Sequence, residues 1–274
     1  MTIRHLFLSS IALSWFLGSS HNALEAQSLR VITKLSDVSS SGKSQPLSHT
    51  LTLFHGGRVY DYMEEVGEVV IFEPIHNRFI ILGKNYAATE VSFTEINHFL
   101  ESAQKEAIEY INELSADTNP ASAQQAASVR FQLTPEFQEK FDAANHKLTL
   151  TGTELEYAIT GQPVESATVV NRYLEYADWA KRLNYVLHRH SSLPEARLHV
   201  NQRLRDKQML PVVVELTLHL DPPVKLRAEH RYDEEFQSND RRHISHWERT
   251  LQSDKIRWMT FREYQQNLLV HAGR

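Results

Sequence analysis

Five short apolar segments follow one another within residues 47–91, and their spacing constrains the fold more than any other feature of the chain. They cover residues 47–54, 58–63, 68–72, 79–82 and 86–91. Gly56 and Gly57, between the first two, suit a hairpin turn because glycine accepts the positive φ that such turns require. Parallel neighbours would need crossover connections of about a dozen residues. The segment is therefore predicted to be an antiparallel meander.

A long amphipathic helix is predicted directly after this meander. Ser92 and Glu95 have the spacing of a capping box, and Val91 and Ile96 have that of a hydrophobic staple. The apolar residues behind them recur at helical spacing: Ile96, Phe99, Leu100, Ala103, Ala107, Ile111 and Leu114. The stretch that follows, up to Ser128, is rich in Ala, Ser and Gln and is interpreted as a surface loop.

The middle of the chain is predicted to contain a short helix and a second hairpin. Thr134 and Pro135 are typical of the first residues of a helix, since proline suits the N1 position. Residues 147–151 and 154–160 are two short apolar segments on either side of Gly152. They predict a hairpin that turns at this glycine.

A helical block is predicted at about residues 164–208. Its first helix covers residues 165–188, and Ser192 with Glu195 predicts a capping box at the start of the second. A further helix is predicted over residues 240–253.

The clearest strand pair is predicted over residues 212–220 and 224–232, where apolar and polar residues alternate. Leu220 can face Val224 on the same side of the sheet because residues 221–223 separate them by an odd number of positions. One face of this late hairpin is apolar and is predicted to bind a hydrophobic ligand. Its candidate ligand-binding residues are Val214, Leu216, Leu218, Leu226, Ala228 and His230.

His230 is the exception on this face, which otherwise reads as aliphatic residues and a tyrosine. In one interpretation it is a core histidine whose ring is hydrogen-bonded. In the other it is a polar anchor at the end of an apolar pocket. The sequence leaves both interpretations open.

Charge and cysteine content exclude several classes of protein. The chain has 29 Lys and Arg against 34 Asp and Glu, a formal net charge of −5, so a nucleic-acid partner is not expected. It contains no cysteine. Thiol nucleophiles, disulfides, iron–sulfur centres and thiolate zinc sites are therefore excluded.

The N-terminus has the pattern of a secretory signal peptide. Arg4 precedes an apolar run at residues 6–17, which is too short to span a bilayer, and small and polar residues follow. Residues 1–26 are predicted to be removed, and residues 27–274 to form a single exported α+β domain. The absence of cysteine favours a bacterial periplasm over a disulfide-rich extracellular scaffold.

Motifs for catalysis and metal binding are weak in this chain. Residues 39–44 resemble the end of a phosphate-binding loop, but the full pattern needs a glycine at the position of Asp37 and a helix directly afterwards. His243 and His246 lie three residues apart, with Asp240 three residues before them, whereas a closed zinc site takes four ligands. No catalytic residue, metal or cofactor is predicted.

The predicted layout resembles the half-barrel of periplasmic lipoprotein carriers, the LolA-like and LppX-like group. The resemblance rests on the meander at residues 47–91, the capped helix at 92–114 and the late hairpin at 211–232. It implies a curved, half-barrel-like antiparallel sheet of about eleven strands, packed with several amphipathic helices in an α+β fold. It also implies a lipid or a lipoprotein acyl chain as the ligand.

Two other classes of function stay open. A non-enzymatic envelope module would have a filled core, with the helical block at 164–208 in place of a cavity and an exposed patch around Trp258, Met259 and Phe261. A hydrolase would need a polar cleft with at least two titratable groups of displaced pKa. The oligomeric state is not predicted.

Overall fold

A computed structural model describes residues 28–40, 43–188 and 191–272 of the chain. Within these ranges the fold is α+β, with a large, mostly antiparallel sheet and six α-helices. The predicted fold class is confirmed. The predicted signal peptide, residues 1–26, lies outside the described residues.

Twelve strands in the described part of the chain form one open, curved sheet. They are β1 (Leu29–Asp37), β2 (Gln45–His55), β3 (Arg58–Met63), β4 (Glu68–Glu73), β5 (Arg78–Leu82), β6 (Ala87–Ser92), β7 (Gln138–Asp142), β8 (Lys147–Thr151), β9 (Leu155–Pro163), β10 (Met209–Leu218), β11 (Val224–Asp233) and β12 (Arg257–Met259). Their order is β12-β6-β5-β4-β3-β2-β1-β11-β10-β9-β8-β7. Neighbours are antiparallel except for β12, which pairs with β6 in parallel.

Strands β2 to β6 pair in chain order, which confirms the predicted meander. Gly56 and Gly57, between β2 and β3, have φ angles of +57° and +77°, as the two-residue turn requires.

The helices are α1 (Phe93–Ala116), α2 (Pro120–Leu133), α3 (Ala167–Leu187), α4 (Glu195–Asp206), α5 (Ser238–Leu251) and α6 (Phe261–Ala272). The capping box predicted for α1 is confirmed. Glu95 N donates to Ser92 Oγ at 3.1 Å, and Ser92 N donates to Glu95 Oε2 at 3.0 Å. The staple residues Val91 and Ile96 are both fully buried.

The prediction of a loop up to Ser128 is wrong, because these residues form most of α2. Asn119 caps this helix, with its Oδ1 accepting from Ala121 N at 3.0 Å. Alanine has the highest helix propensity, but the helix buries only Ala126 and Phe131, so no apolar stripe marks it in the sequence.

The short helix predicted at Thr134 and Pro135 is also wrong. Thr134 ends α2 by donating its backbone N–H to Arg130 O at 2.8 Å, and β7 follows.

The two helices predicted within residues 164–208 correspond to α3 and α4, but the capping box at Ser192 does not form. Pro194 directly precedes α4 with helical backbone angles, and no side chain of the described residues caps the helix. Glu195 is therefore the first residue of α4, whereas a capping box with Ser192 would need it to be the third, so the predicted box does not form.

The sheet has two faces that pack against different helices. The inner face carries Phe54, Phe72, Phe79, Leu148 and Ile159, and it forms one core with buried residues of α1, α3 and α4. The outer face packs against α5. Its core contains Leu53, Tyr60, Ile71 and Ile80 from the sheet with Ile244 and Trp247 from the helix.

The late hairpin has the predicted faces but a shifted register. Leu218, rather than Leu220, lies opposite Val224, and Leu220 is 59% exposed. Pro222 and Pro223 have no backbone N–H, so they cannot donate to the hydrogen bonds between β10 and β11. His219 N donates to Glu154 O at 2.9 Å instead of to β11, and the chain leaves the pair before residue 220. The shift is an even number of residues, which keeps every side chain on its predicted face.

Candidate ligand site on the inner face

The six candidate ligand-binding residues lie on the inner face of neighbouring strands. Val214 faces Ala228 and Leu216 faces Leu226 across β10 and β11. Val214 is 5% exposed, whereas the other five candidates are half-buried.

This half-buried surface continues onto β1, β2 and β3. His230 faces Thr33, Thr33 faces Thr50, and Thr50 faces Met63, and directly opposed residues in a sheet share a face. We call this part of the inner face the open end. Its residues are Leu35, Thr50, Met63, Leu216, Leu218, Leu226, Ala228 and His230, all half-buried.

The position of α3 explains why this surface is only partly covered. The Tyr173 ring lies 6.1 Å from the Phe54 ring, and the Tyr176 ring lies 5.8 Å from the rings of both Phe54 and Phe72. Phe54 lies close to the turn between β2 and β3. The helix therefore fills the inner face near this turn and leaves the opposite strand ends, around Thr50, half-buried.

His230 lies at the boundary between the filled part and the open end. Its Nδ1 is 2.9 Å from Thr33 Oγ1, and its ring lies 6.4 Å from Tyr173 and 6.3 Å from Tyr232. Burial, followed by the positive charge of Arg197, lowers the pKa of His230 to about 3. The imidazole is therefore neutral at physiological pH and hydrogen-bonded through Nδ1.

Asp61 is a second polar group beneath α3, and it was not among the residues predicted from the sequence. Its Oδ1 accepts from Thr52 Oγ1 at 2.7 Å, and its carboxyl group also interacts with the Tyr176 hydroxyl. Burial raises the pKa of Asp61, while the bonds from Tyr176 and Thr52 oppose this shift. The sequence does contain a signal for this residue. Asp61 lies between Val59 and Met63 at a spacing of two, so it is the polar residue on an otherwise apolar face of the strand.

The histidines considered as metal ligands have other contacts. The His243 ring stacks at 5.6 Å on Tyr62 and at 5.4 Å on Trp247, and Asp240 Oδ2 accepts from Arg30 Nε at 2.9 Å. Within the described ranges, no group of three His, Asp or Glu side chains is placed to hold a metal ion.

The patch considered around Trp258, Met259 and Phe261 is not one exposed surface. Trp258 is 51% exposed, but Phe261 is only 5% exposed and contacts Phe99 with a ring separation of 6.0 Å. Phe261 begins α6 and points into the inner core, so Trp258 alone is strongly exposed.

Comparison with models of known protein families finds no match to this chain, and neither does comparison with curated proteins. The resemblance to lipoprotein carriers therefore stays a prediction from the layout. No helix within the described residues is both long and apolar enough to cross a membrane.

Proposed function

We propose that this protein is an exported binder of an amphipathic, largely hydrophobic ligand, such as a lipid or the acyl chain of a lipoprotein. The observation that carries the proposal is the open end of the inner face. Leu216, Leu218 and Leu226 are half-buried there on a sheet whose neighbouring part is covered by α3.

The chemistry of the open end supports an amphipathic ligand. One side is aliphatic, with Leu35, Leu216 and Leu226, and an acyl chain laid on it would gain about 0.8 kcal/mol for each buried methylene. The other side offers the Thr50 hydroxyl on β2 and the neutral imidazole of His230 on β11, with Thr33 of β1 between them. Such groups suit a polar, uncharged headgroup or an ester.

A second candidate is a non-enzymatic binding module with a filled core. The packing of Tyr173 and Tyr176 against Phe54 and Phe72 favours it, because this contact fills the inner face near the turn between β2 and β3. A hydrolase has less support. Asp61 bonds to Thr52 and Tyr176, whereas His230 bonds to Thr33, so the two titratable groups have separate partners.

Titration with the fluorescent fatty acid cis-parinaric acid tests the proposal. Leu226→Asp places a charge on the open end and should raise the Kd for the probe at least about tenfold, or 1.4 kcal/mol. Lys225→Asp is the matched control, because it adds the same side chain at the next, exposed position and should leave the Kd unchanged.

Native mass spectrometry of protein purified from its own cell envelope gives a second measurement. We expect a co-purified lipid that the Leu226→Asp variant loses. If the parent protein carried no lipid and did not bind the probe, the proposal of a lipid binder would be rejected. The non-enzymatic binding module with a filled core would then be the remaining candidate.

A further inference from the structure

A polar cleft of about 380 Å³ lies on the outer face, between the sheet and the C-terminal half of α5. Its walls include Arg58, Glu73, Arg78, Glu90, Glu248 and Trp258. The cleft is within the size range of small-molecule sites. Because it is on the opposite face from the open end, it is independent of the function proposed above.

A buried carboxylate organises the floor of this cleft. Glu73 is 2% exposed, and its two oxygens accept from Arg58 Nε and Arg78 Nε, each at 2.7 Å. Each guanidinium is therefore held in one orientation before any ligand arrives.

The outer nitrogens of the two arginines contact two further carboxylates. Arg78 Nη1 lies 2.6 Å from Glu90 Oε2, and Arg58 Nη1 lies 3.4 Å from Glu248 Oε1. The side chains of Glu90 and Glu248 are 46% and 40% exposed, so they keep acceptor capacity for a ligand. Donors and acceptors thus alternate along the wall.

Trp258 supplies an aromatic wall. It lies on β12 opposite Ala88 of β6 and is 51% exposed, although large aromatic side chains are usually well buried. The ion pair between Arg58 and Glu248 does not need the indole in order to hold α5 on the sheet. Packing therefore does not explain why this ring lies exposed at the cleft.

We propose that this cleft binds a neutral saccharide, with one sugar ring stacked on Trp258 and its hydroxyls bonded to Arg78, Glu90 and Glu248. A hydroxyl both donates and accepts, which matches a wall where guanidinium and carboxylate groups alternate. The apolar C–H face of a pyranose suits the face of an indole. Three carboxylates against two guanidinium groups leave one excess negative charge, which disfavours an anionic ligand.

Isothermal titration calorimetry with three neutral trisaccharides tests this site: maltotriose, cellotriose and triacetylchitotriose. We expect at least one to bind the full-length mature protein. Trp258→Ala should raise its Kd at least about tenfold, and Trp258→Phe should raise it less, since phenylalanine keeps a smaller ring. Glu90→Gln should weaken binding without loss of fold, because Glu90 is at the exposed end of the network.

Tyr110→Ala is the matched control, since Tyr110 is a 40% exposed aromatic residue on α1, away from the cleft. Its Kd should equal that of the parent protein, and circular dichroism should show that all variants are folded. The proposal is overturned if none of the three trisaccharides binds, or if Trp258→Ala and Tyr110→Ala have equal effects. Binding of choline with no saccharide binding would also overturn it, and would identify a cation site on the indole.

Discussion

The imidazole Nδ1 of His230 lies 2.9 Å from the hydroxyl oxygen of Thr33, across the antiparallel pair of β1 and β11. A candidate ligand-binding residue therefore also forms a hydrogen bond between two strands of the sheet and contributes to the stability of the fold. The same imidazole that borders the open end packs against the rings of Tyr173 and Tyr232. Its titration should therefore be visible in the unfolding of the whole protein.

Protonation of His230 should destabilise the fold at low pH. The folded state holds the neutral ring down to a pKa of about 3, while the unfolded chain protonates near 6.5. The unfolded state therefore binds more protons between these values, and the free energy of unfolding should fall as pH decreases from 6.5 toward 3, by at most about 1.4 kcal/mol per pH unit.

Urea unfolding at several pH values measures this dependence. In the His230→Asn variant, the free energy of unfolding should lose the part of its pH dependence that His230 contributes. The control His98→Asn, at an exposed position on α1, should keep the pH dependence of the parent protein. Equal pH profiles for the parent protein and His230→Asn would contradict the burial of a neutral ring.

Asp61 should show the opposite dependence on pH. Burial raises its pKa above 3.8, so the folded state binds the proton more tightly than the unfolded chain. This group's contribution to the free energy of unfolding should therefore fall as pH rises from 3.8 through the raised pKa. Asp61→Asn should remove that decline in the same urea experiments.

Asp117→Asn is the control of opposite sign. Hydrogen bonds from Ser122 and Asn119 lower the pKa of Asp117, so its stabilising contribution is present above 3.8 and is lost as pH falls. If the profiles of both variants changed in the same direction, the raised pKa of Asp61 would be wrong.

The parts of the fold that follow from local chemistry could be predicted from the sequence. The Gly56-Gly57 turn and the capping box of Ser92 depend on a few adjacent residues, and both form as expected. Helix α2 could not be found by periodicity, because it buries only Ala126 and Phe131 and so has no apolar stripe. Strand β12 pairs with β6, about 170 residues earlier, and three residues carry no local signal of such a partner.

The candidate site was predictable to a similar extent. Alternation placed the six candidates on one face correctly, since an even shift in register does not change the face. Their degree of burial could not be predicted, because it depends on where α3 crosses the sheet. The contact between Tyr176 and Asp61 could not be predicted either, because it joins residues that are more than a hundred positions apart and depends on the same packing of α3 on the sheet.

The two capping boxes expected from the sequence provide a matched pair of substitutions. Ser92→Ala should destabilise the protein by about 1 kcal/mol, because Glu95 N loses its acceptor at the start of α1. Ser192→Ala should change the free energy of unfolding by less than about 0.5 kcal/mol, since Ser192 is exposed and does not cap α4. Chemical denaturation of both variants measures the difference, and equal losses would contradict the cap assignment.

Leu216→Ala separates a ligand surface from an ordinary core position. Leu216 is half-buried at the open end, so the substitution should cost about 1–2 kcal/mol, less than a fully buried leucine. Leu148→Ala is the matched control on the same inner face, because Leu148 is fully buried. It should cost about 2–5 kcal/mol through lost burial and a cavity.

The binding measurement distinguishes these two leucines further. Leu216→Ala should change the Kd for cis-parinaric acid, because the side chain lies on the proposed acyl-chain surface. Leu148→Ala should leave the Kd unchanged under conditions where the variant is folded, since its loss acts on the inner core and not on the open end. If Leu216→Ala cost as much stability as Leu148→Ala and left probe binding unaltered, the open end would be core surface. The filled module would then be the better description of the protein.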